Sequence, residues 1–96
     1  MTINKTVTGN TAVFEIDGWL DTQTAPELSE ALEGLDSSVT ELTIDMEKLE
    51  YISSAGLRQI VAAHKKMDGK LTIKNVSVEV MDVFNMTGLN KRLTIV

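Results

Sequence analysis

Between Glu41 and Lys66 the spacing of apolar residues changes, and that change constrains the fold more than any other feature. Leu42, Ile44 and Met46 alternate with Thr43 and Asp45, the period of a strand with one buried face. From Ser54 onward, Leu57, Ile60, Val61 and His64 instead form one stripe at helical spacing. Lys65 and Lys66 suit a helix C-terminus, and Asp68-Gly69 stops it. Leu71 and Ile73 then read as another short strand. Strand, helix and strand in this order imply a parallel pair joined by a right-handed crossover.

The rest of the chain extends the pattern. Ile3 to Val7 and Ala12 to Ile16, separated by Gly9-Asn10, predict a hairpin. Thr24-Ala25-Pro26-Glu27 reads as a capping box with proline in the first turn, so a helix starts there. Its apolar positions are Ala25, Leu28, Leu32 and Leu35, and Gly34 is placed to end it in the left-handed conformation. A short turn is expected between Met46 and Tyr51. Asn75-Val76-Ser77 introduces a third helix with Val80, Val83 and Phe84 facing inward and Gly88 at its end, and Leu93 to Val96 form a last strand. The expected fold is α/β, a mixed β-sheet with helices packed on it, in the order β-β-α-β-α-β-α-β. With 96 residues the chain can build one modest core, so residues 1–96 are read as one domain.

Composition narrows the function. The chain has no cysteine, which removes disulfides, thiolate zinc sites and cysteine nucleophiles. A formal charge of −5 disfavours nucleic acid, whose phosphates are bound through lysine and arginine. The longest apolar runs are too short to cross a bilayer, and the start, Met1-Thr2-Ile3-Asn4-Lys5, has no secretory pattern, so no membrane partner and a cytoplasmic location are expected. No glycine-rich phosphate loop occurs, and one histidine with scattered carboxylates gives no metal-ligand spacing, so neither a cofactor nor a metal is expected.

Tyr51-Ile52-Ser53-Ser54-Ala55-Gly56-Leu57 is the segment that invites a chemical reading. A nucleophilic serine needs a base within hydrogen-bond reach, and His64 is the only histidine. Ten residues along one helix separate Ser54 from His64 by about 15 Å, which excludes a dyad. A glycine two residues before the serine, as in a nucleophile elbow, is also missing. The chain is therefore not read as an enzyme, and His64 is placed at the edge of the core. Ser53 suits the N-cap, which accounts for it without further function. Ser54, at the first helical position, should project near the carboxyl ends of the strands, where open α/β sheets bind their ligands. Gly56 permits close approach of the helix to a neighbouring backbone, or of a partner to the helix. An exposed serine followed by small residues is a reasonable kinase substrate. Asp21 serves either as a turn or capping residue or as a partner contact. Asp45 reads as a turn former, Trp19 as a loop residue at the core edge or an interface, Tyr51 as closing the core, and Met46, Met67, Met81 and Met86 as filling.

Four stretches carry a resemblance over the whole chain: Gly18-Trp19-Leu20-Asp21 with Thr24 to Leu28, Leu42 to Asp45, Leu49 to Leu57, and Met81 to Leu89. Together they resemble the STAS domain of bacterial anti-sigma factor antagonists and of sulfate transporter tails. The resemblance implies an antagonist that binds, when unmodified, an anti-sigma factor serine kinase with a histidine-kinase-like ATPase fold and so releases the sigma factor. Phosphorylation of one serine by that kinase ends the complex, and a PPM-type serine phosphatase reverses it. Aligned on Gly56-Leu57, the resemblance places Ser54 at the phosphorylated position, with Ser53 as second choice, and implies a partner surface of Asp21, Ser53, Ser54, Ala55, Gly56 and Leu57. Two features depart from the family pattern. Ser53 stands where the common motif has aspartate, although many relatives share the serine-serine-alanine-glycine form, and the sequence ends after the last strand where many relatives add a helix, so some sheet surface is expected to be exposed or partner-covered. The resemblance also admits a second role, a STAS accessory subunit that docks on a transporter ATPase without being phosphorylated. A small-ligand or nucleotide-binding domain is a third.

Overall fold

A computed structural model describes residues 1–96. The elements are β1 (Thr2–Thr8), β2 (Thr11–Leu20), α1 (Ala25–Glu33), β3 (Glu41–Ile52), α2 (Ser54–Lys66), β4 (Leu71–Lys74), α3 (Val78–Thr87), a 3-10 turn (Leu89–Lys91) and β5 (Thr94–Ile95). The order matches the one read from the periodicity. β1 and β2 pair antiparallel about a two-residue turn in which Gly9 takes a φ of 61° and Asn10 stays negative. Glycine at the first turn position is what that geometry requires. The remaining pairings are parallel, and the sheet order is β1-β2-β3-β4-β5.

Because β2 to β5 are added in one direction, right-handed crossovers carry all three helices over the same face of the sheet. Register shows which face. Ala12, Leu42 and Leu71 share one row and Phe14, Ile44 and Ile73 the next, and all six are buried. They join Leu28 and Leu32 of α1, Leu57 and Ile60 of α2, and Val80 and Phe84 of α3 in a single core of 23 buried residues. The opposite face carries Val13, Thr43, Thr72 and Thr94 in one row, polar except for Val13.

Two expectations about strand length change. β3 does not turn after Met46 but continues to Ile52, and β2 continues through Trp19, which therefore lies in a strand and not a loop. At two places, between the pairs Glu15/Asp45 and Asp17/Lys48 and between Gly18/Leu49 and Trp19/Tyr51, β3 spends one residue more than β2. Each bulge flips the side-chain alternation, so the buried residues of β3 fall at Met46, Leu49 and Ile52 and lose the period of two. Asp45 holds the first bulge, its carboxylate accepting from the Glu47 N–H (3.0 Å) and from the Asn75 side chain (3.1 Å). Gly34 differs too: its φ is −77°, and the left-handed helix ending occurs at Gly88.

Candidate functional site

The carboxyl edges of β2 and β3 lead directly into α1 and α2, and the residues singled out in the sequence meet there. Ser53 leaves the sheet extended, and its N–H donates to the Leu20 carbonyl at 2.9 Å. Its hydroxyl oxygen accepts the Gly56 N–H at 3.3 Å, so Ser53 is the N-cap of α2 as expected. Ser54 follows as the first helical residue and is exposed. Ala55 is half-buried, whereas Gly56 and Leu57 are buried. What those two offer is the position of the helix mouth. A Cβ on Gly56 would lie 2.8 Å from both the Leu20 carbonyl oxygen and Leu20 Cγ, and 2.9 Å from Ile52 Cγ1, so only glycine lets α2 sit this close to the strand ends.

Asp21 faces the same edge from the β2–α1 connection. Its carboxylate accepts the N–H groups of Gln23 (2.9 Å) and Thr24 (3.1 Å), and its carbonyl accepts the Ala25 N–H (2.8 Å). The Thr24 hydroxyl accepts from the Asp21 N–H and donates to the Trp19 carbonyl, both at 2.8 Å, and makes no cap bond to the helix. The expected capping box at Thr24 is thus replaced by an Asp21-centred turn. The Thr24 backbone bond is the largest effect, and with those from Gln23 and the Thr24 hydroxyl it outweighs desolvation and holds the Asp21 carboxyl below the usual carboxylate range. Asp21 is therefore anionic at neutral pH.

Two aromatic residues flank this edge. Trp19 and Tyr51 are register partners with ring centroids 5.7 Å apart and planes tilted by 52°. Trp19 is 57% exposed and Tyr51 49%, so neither closes the core. The bulges put Leu20 and Ile52 inward and leave their predecessors outward. Among the methionines, Met46 and Met67 do fill the core, while Met86 is 83% exposed on α3. His64 lies half-buried near the other end of α2, ten residues from Ser54 on the same helix, and the inward positions there are Ala63 and Met67. No three His, Asp or Glu side chains converge in a way that could hold a metal ion. A groove of about 530 Å³ begins at Ser54 and runs between α2 and the segment after α3, lined by Leu57, Val61, Ala62 and Leu89 with Arg58 and Lys65. Sequence periodicity could not reveal it, because it joins residues from two distant segments. No helix is long and apolar enough to cross a membrane.

The geometry is thus a partner-accessible edge with an exposed hydroxyl, a fixed carboxylate and two exposed aromatics. Comparison with known proteins gives it a context. The chain is 32% identical over 94 residues to the anti-sigma-B factor antagonist of Bacillus subtilis (strain 168), covering 93% of this chain and 86% of the relative. Its fold is similar to that of an anti-sigma factor antagonist from Mycobacterium paratuberculosis (TM-score 0.87, 24% identity, covering 98% of this chain and 83% of that one). The anti-sigma factor antagonist SpoIIAA is similar in its unphosphorylated form (TM-score 0.69, 20% identity, 99% of this chain and 87% of that one). Its phosphorylated form, from Bacillus, is similar to the same degree (TM-score 0.68, 22% identity, 99% and 91%). The STAS domain family matches residues 2–96, and the chain belongs to that family.

Proposed function

We propose that this chain is an anti-sigma factor antagonist switched by phosphorylation of Ser54. The observation that carries the reading is the exposure of Ser54 at the first position of α2, next to a Ser53 whose N–H is bonded to the carbonyl of the residue before Asp21, in a STAS chain related to an anti-sigma-B factor antagonist. The protein binds rather than catalyses. Its unmodified edge docks on an anti-sigma factor that is also a serine kinase with a histidine-kinase-like ATPase fold, which frees the sigma factor. Asp21, Ser53, Ser54 and Ala55 form the contact, and Gly56 and Leu57 fix where the contact stands. The kinase supplies the phosphoryl group, and a PPM-type phosphatase removes it, so the location is cytoplasmic.

Physical chemistry supports the direction of the switch. A phosphate on Ser54 adds about −1.5 to −2 charges at a helix N-terminus, where the dipole favours an anion, so the domain tolerates it. Arg58 lies one helical turn on, within the reach of neighbouring side chains on a helix surface. At the interface the same dianion must be desolvated or face the partner's acidic groups. A coupling of a few kcal/mol lowers affinity by about 100-fold or more.

The test is incubation with a candidate anti-sigma factor kinase and ATP, followed by site mapping on wild type, Ser53→Ala and Ser54→Ala. Label is expected on wild type and Ser53→Ala only, and label persisting on Ser54→Ala would move the site to Ser53 or elsewhere. Ser54→Ala should bind the kinase as wild type does, and Ser54→Asp weakly.

A further inference from the structure

The helices α2 and α3 carry opposite charges on their outer surfaces. α2 contains Arg58, His64, Lys65 and Lys66 and no acidic residue, although the chain as a whole is acidic. Its outward stripe, Ser54, Arg58, Val61 with Ala62, and Lys65, repeats at helical spacing and forms one wall of the 530 Å³ groove. The floor is apolar, from Leu57, Val61 and Leu89, and the basic groups stand at the rim. α3 contains Glu79 and Asp82 and no basic residue. Val78, Asp82 and Met86 follow one another at four-residue spacing on its solvent side, with Glu79 beside them. Val78 is 74% exposed and Met86 83%, so this helix presents two large apolar side chains and two carboxylates to water.

We propose that the outward face of α3 in one copy of this chain seats in the α2 groove of a second copy, and the reverse, as an isologous dimer. Val78 and Met86 supply apolar groups for the groove floor. Glu79 and Asp82 supply carboxylates for the Arg58 and Lys65 rim. A molecule cannot satisfy its own groove, because its α3 stripe faces solvent while Thr87 and Leu89, at and just beyond the end of α3, already form the opposite wall. The two patches adjoin at Thr87, which lets a two-fold axis exchange them. One helix face and one groove make an interface below the standard size, so the dissociation constant should be on the order of 10–1,000 µM. A seated copy also covers Ser54, so self-association and presentation of Ser54 exclude each other; that consequence alone rests on the function proposed above.

Sedimentation velocity of the full chain from about 10 µM to about 1 mM tests the dimer. Wild type should pass from monomer to dimer over that range. Arg58→Glu with Lys65→Glu should weaken association by more than about tenfold, as should Glu79→Lys with Asp82→Lys. All four positions are exposed, and circular dichroism checks that the variants fold. Mixing the two double variants gives complementary charge in both seats, an acidic groove on a basic helix in one and the native pairing in the other, so the mixture should associate, as should the quadruple variant, in which every pair is reversed. A wild type that stays monomeric, a dimer indifferent to both double variants, or a quadruple variant that stays monomeric would each overturn the proposal.

Discussion

Gly56→Ala isolates how tightly the site edge is built. In a helix, alanine is better than glycine by at most about 1 kcal/mol, and Gly56 carries no positive φ that would oppose the change. Contacts decide otherwise. The new Cβ would meet the Leu20 carbonyl oxygen and Leu20 Cγ at 2.8 Å and Ile52 Cγ1 at 2.9 Å, where ordinary contact begins at 3.4 Å. Leu20 and Ile52 are buried register partners at the strand ends, and one of the three atoms belongs to backbone that also accepts the Ser53 N–H. Relief therefore requires α2 to retreat by about 0.6 Å at its first turn, which strains the cap and the Leu57 packing. Overpacking of this kind costs about 3 kcal/mol, and the propensity gain leaves a net loss of about 2 kcal/mol. For a domain of this size that corresponds to a fall in Tm of roughly 8–15 °C. Gly34→Ala is the control: its φ is −77° and its nearest contact would be 3.4 Å, so it should stabilise by about 0.4–1 kcal/mol. Thermal and urea denaturation of both variants measure the difference. A Gly56→Ala protein that melts at or above the wild-type temperature would refute the close-approach reasoning.

Further outcomes follow from the same edge. Ser53→Ala removes the acceptor for the Gly56 N–H and should cost about 1 kcal/mol, whereas Ser54→Ala should stay within about 0.5 kcal/mol of wild type in urea denaturation. Asp21 has a lowered folded pKa, so its contribution to stability is fully present above the unfolded carboxylate value of 3.8 and is lost as pH falls through the lowered one. Urea titrations across acid pH should therefore show the stability gap between wild type and Asp21→Asn narrowing below that value, and a gap that is constant with pH would contradict it. Trp19 is the only tryptophan and is exposed, so its emission should be that of a solvated indole and should shift to the blue when the proposed kinase covers the edge.

How much of this was legible in the sequence depended on whether a single local rule governed the position. Leu42-Ile44-Met46 and Leu57-Ile60 obey one period each, and the βαβ order followed from them. Ser53 was legible as a cap because capping involves only the next three residues. The continuation of β3 was not legible, since two bulges set by pairing with β2 break the alternation between Met46 and Ile52. The same non-local pairing turned Trp19 and Tyr51 outward. At Thr24 the sequence matched a capping box, but Asp21 takes the Thr24 N–H that Glu27 would have accepted, and the Thr24 hydroxyl is drawn back to the Asp21 N–H and the Trp19 carbonyl. Gly34 had the right identity for a left-handed ending, yet its helix closes in right-handed geometry with N–H bonds to Glu30 and Leu32 carbonyls.

The tightness of the edge bears on how a switch there can work. Ser54 is fixed on one side by the Ser53 cap and on the other by a helix that Gly56 seats against backbone, so adding a group at its hydroxyl has little soft structure to displace. Under the proposed reading, phosphorylation must then act through charge rather than through shape. Charge at Ser54 has one nearby cation on α2, Arg58, and Arg58 is also a rim group of the groove. Salt separates the two effects: exposed pairs are screened over about 8–10 Å near physiological ionic strength, so a charge-operated switch should lose part of its discrimination as salt rises. A shape-operated one should not. Measuring kinase affinity of wild type and Ser54→Asp at low and high salt therefore decides which kind of switch the edge is, and an affinity ratio that does not change with ionic strength would rule out the electrostatic one.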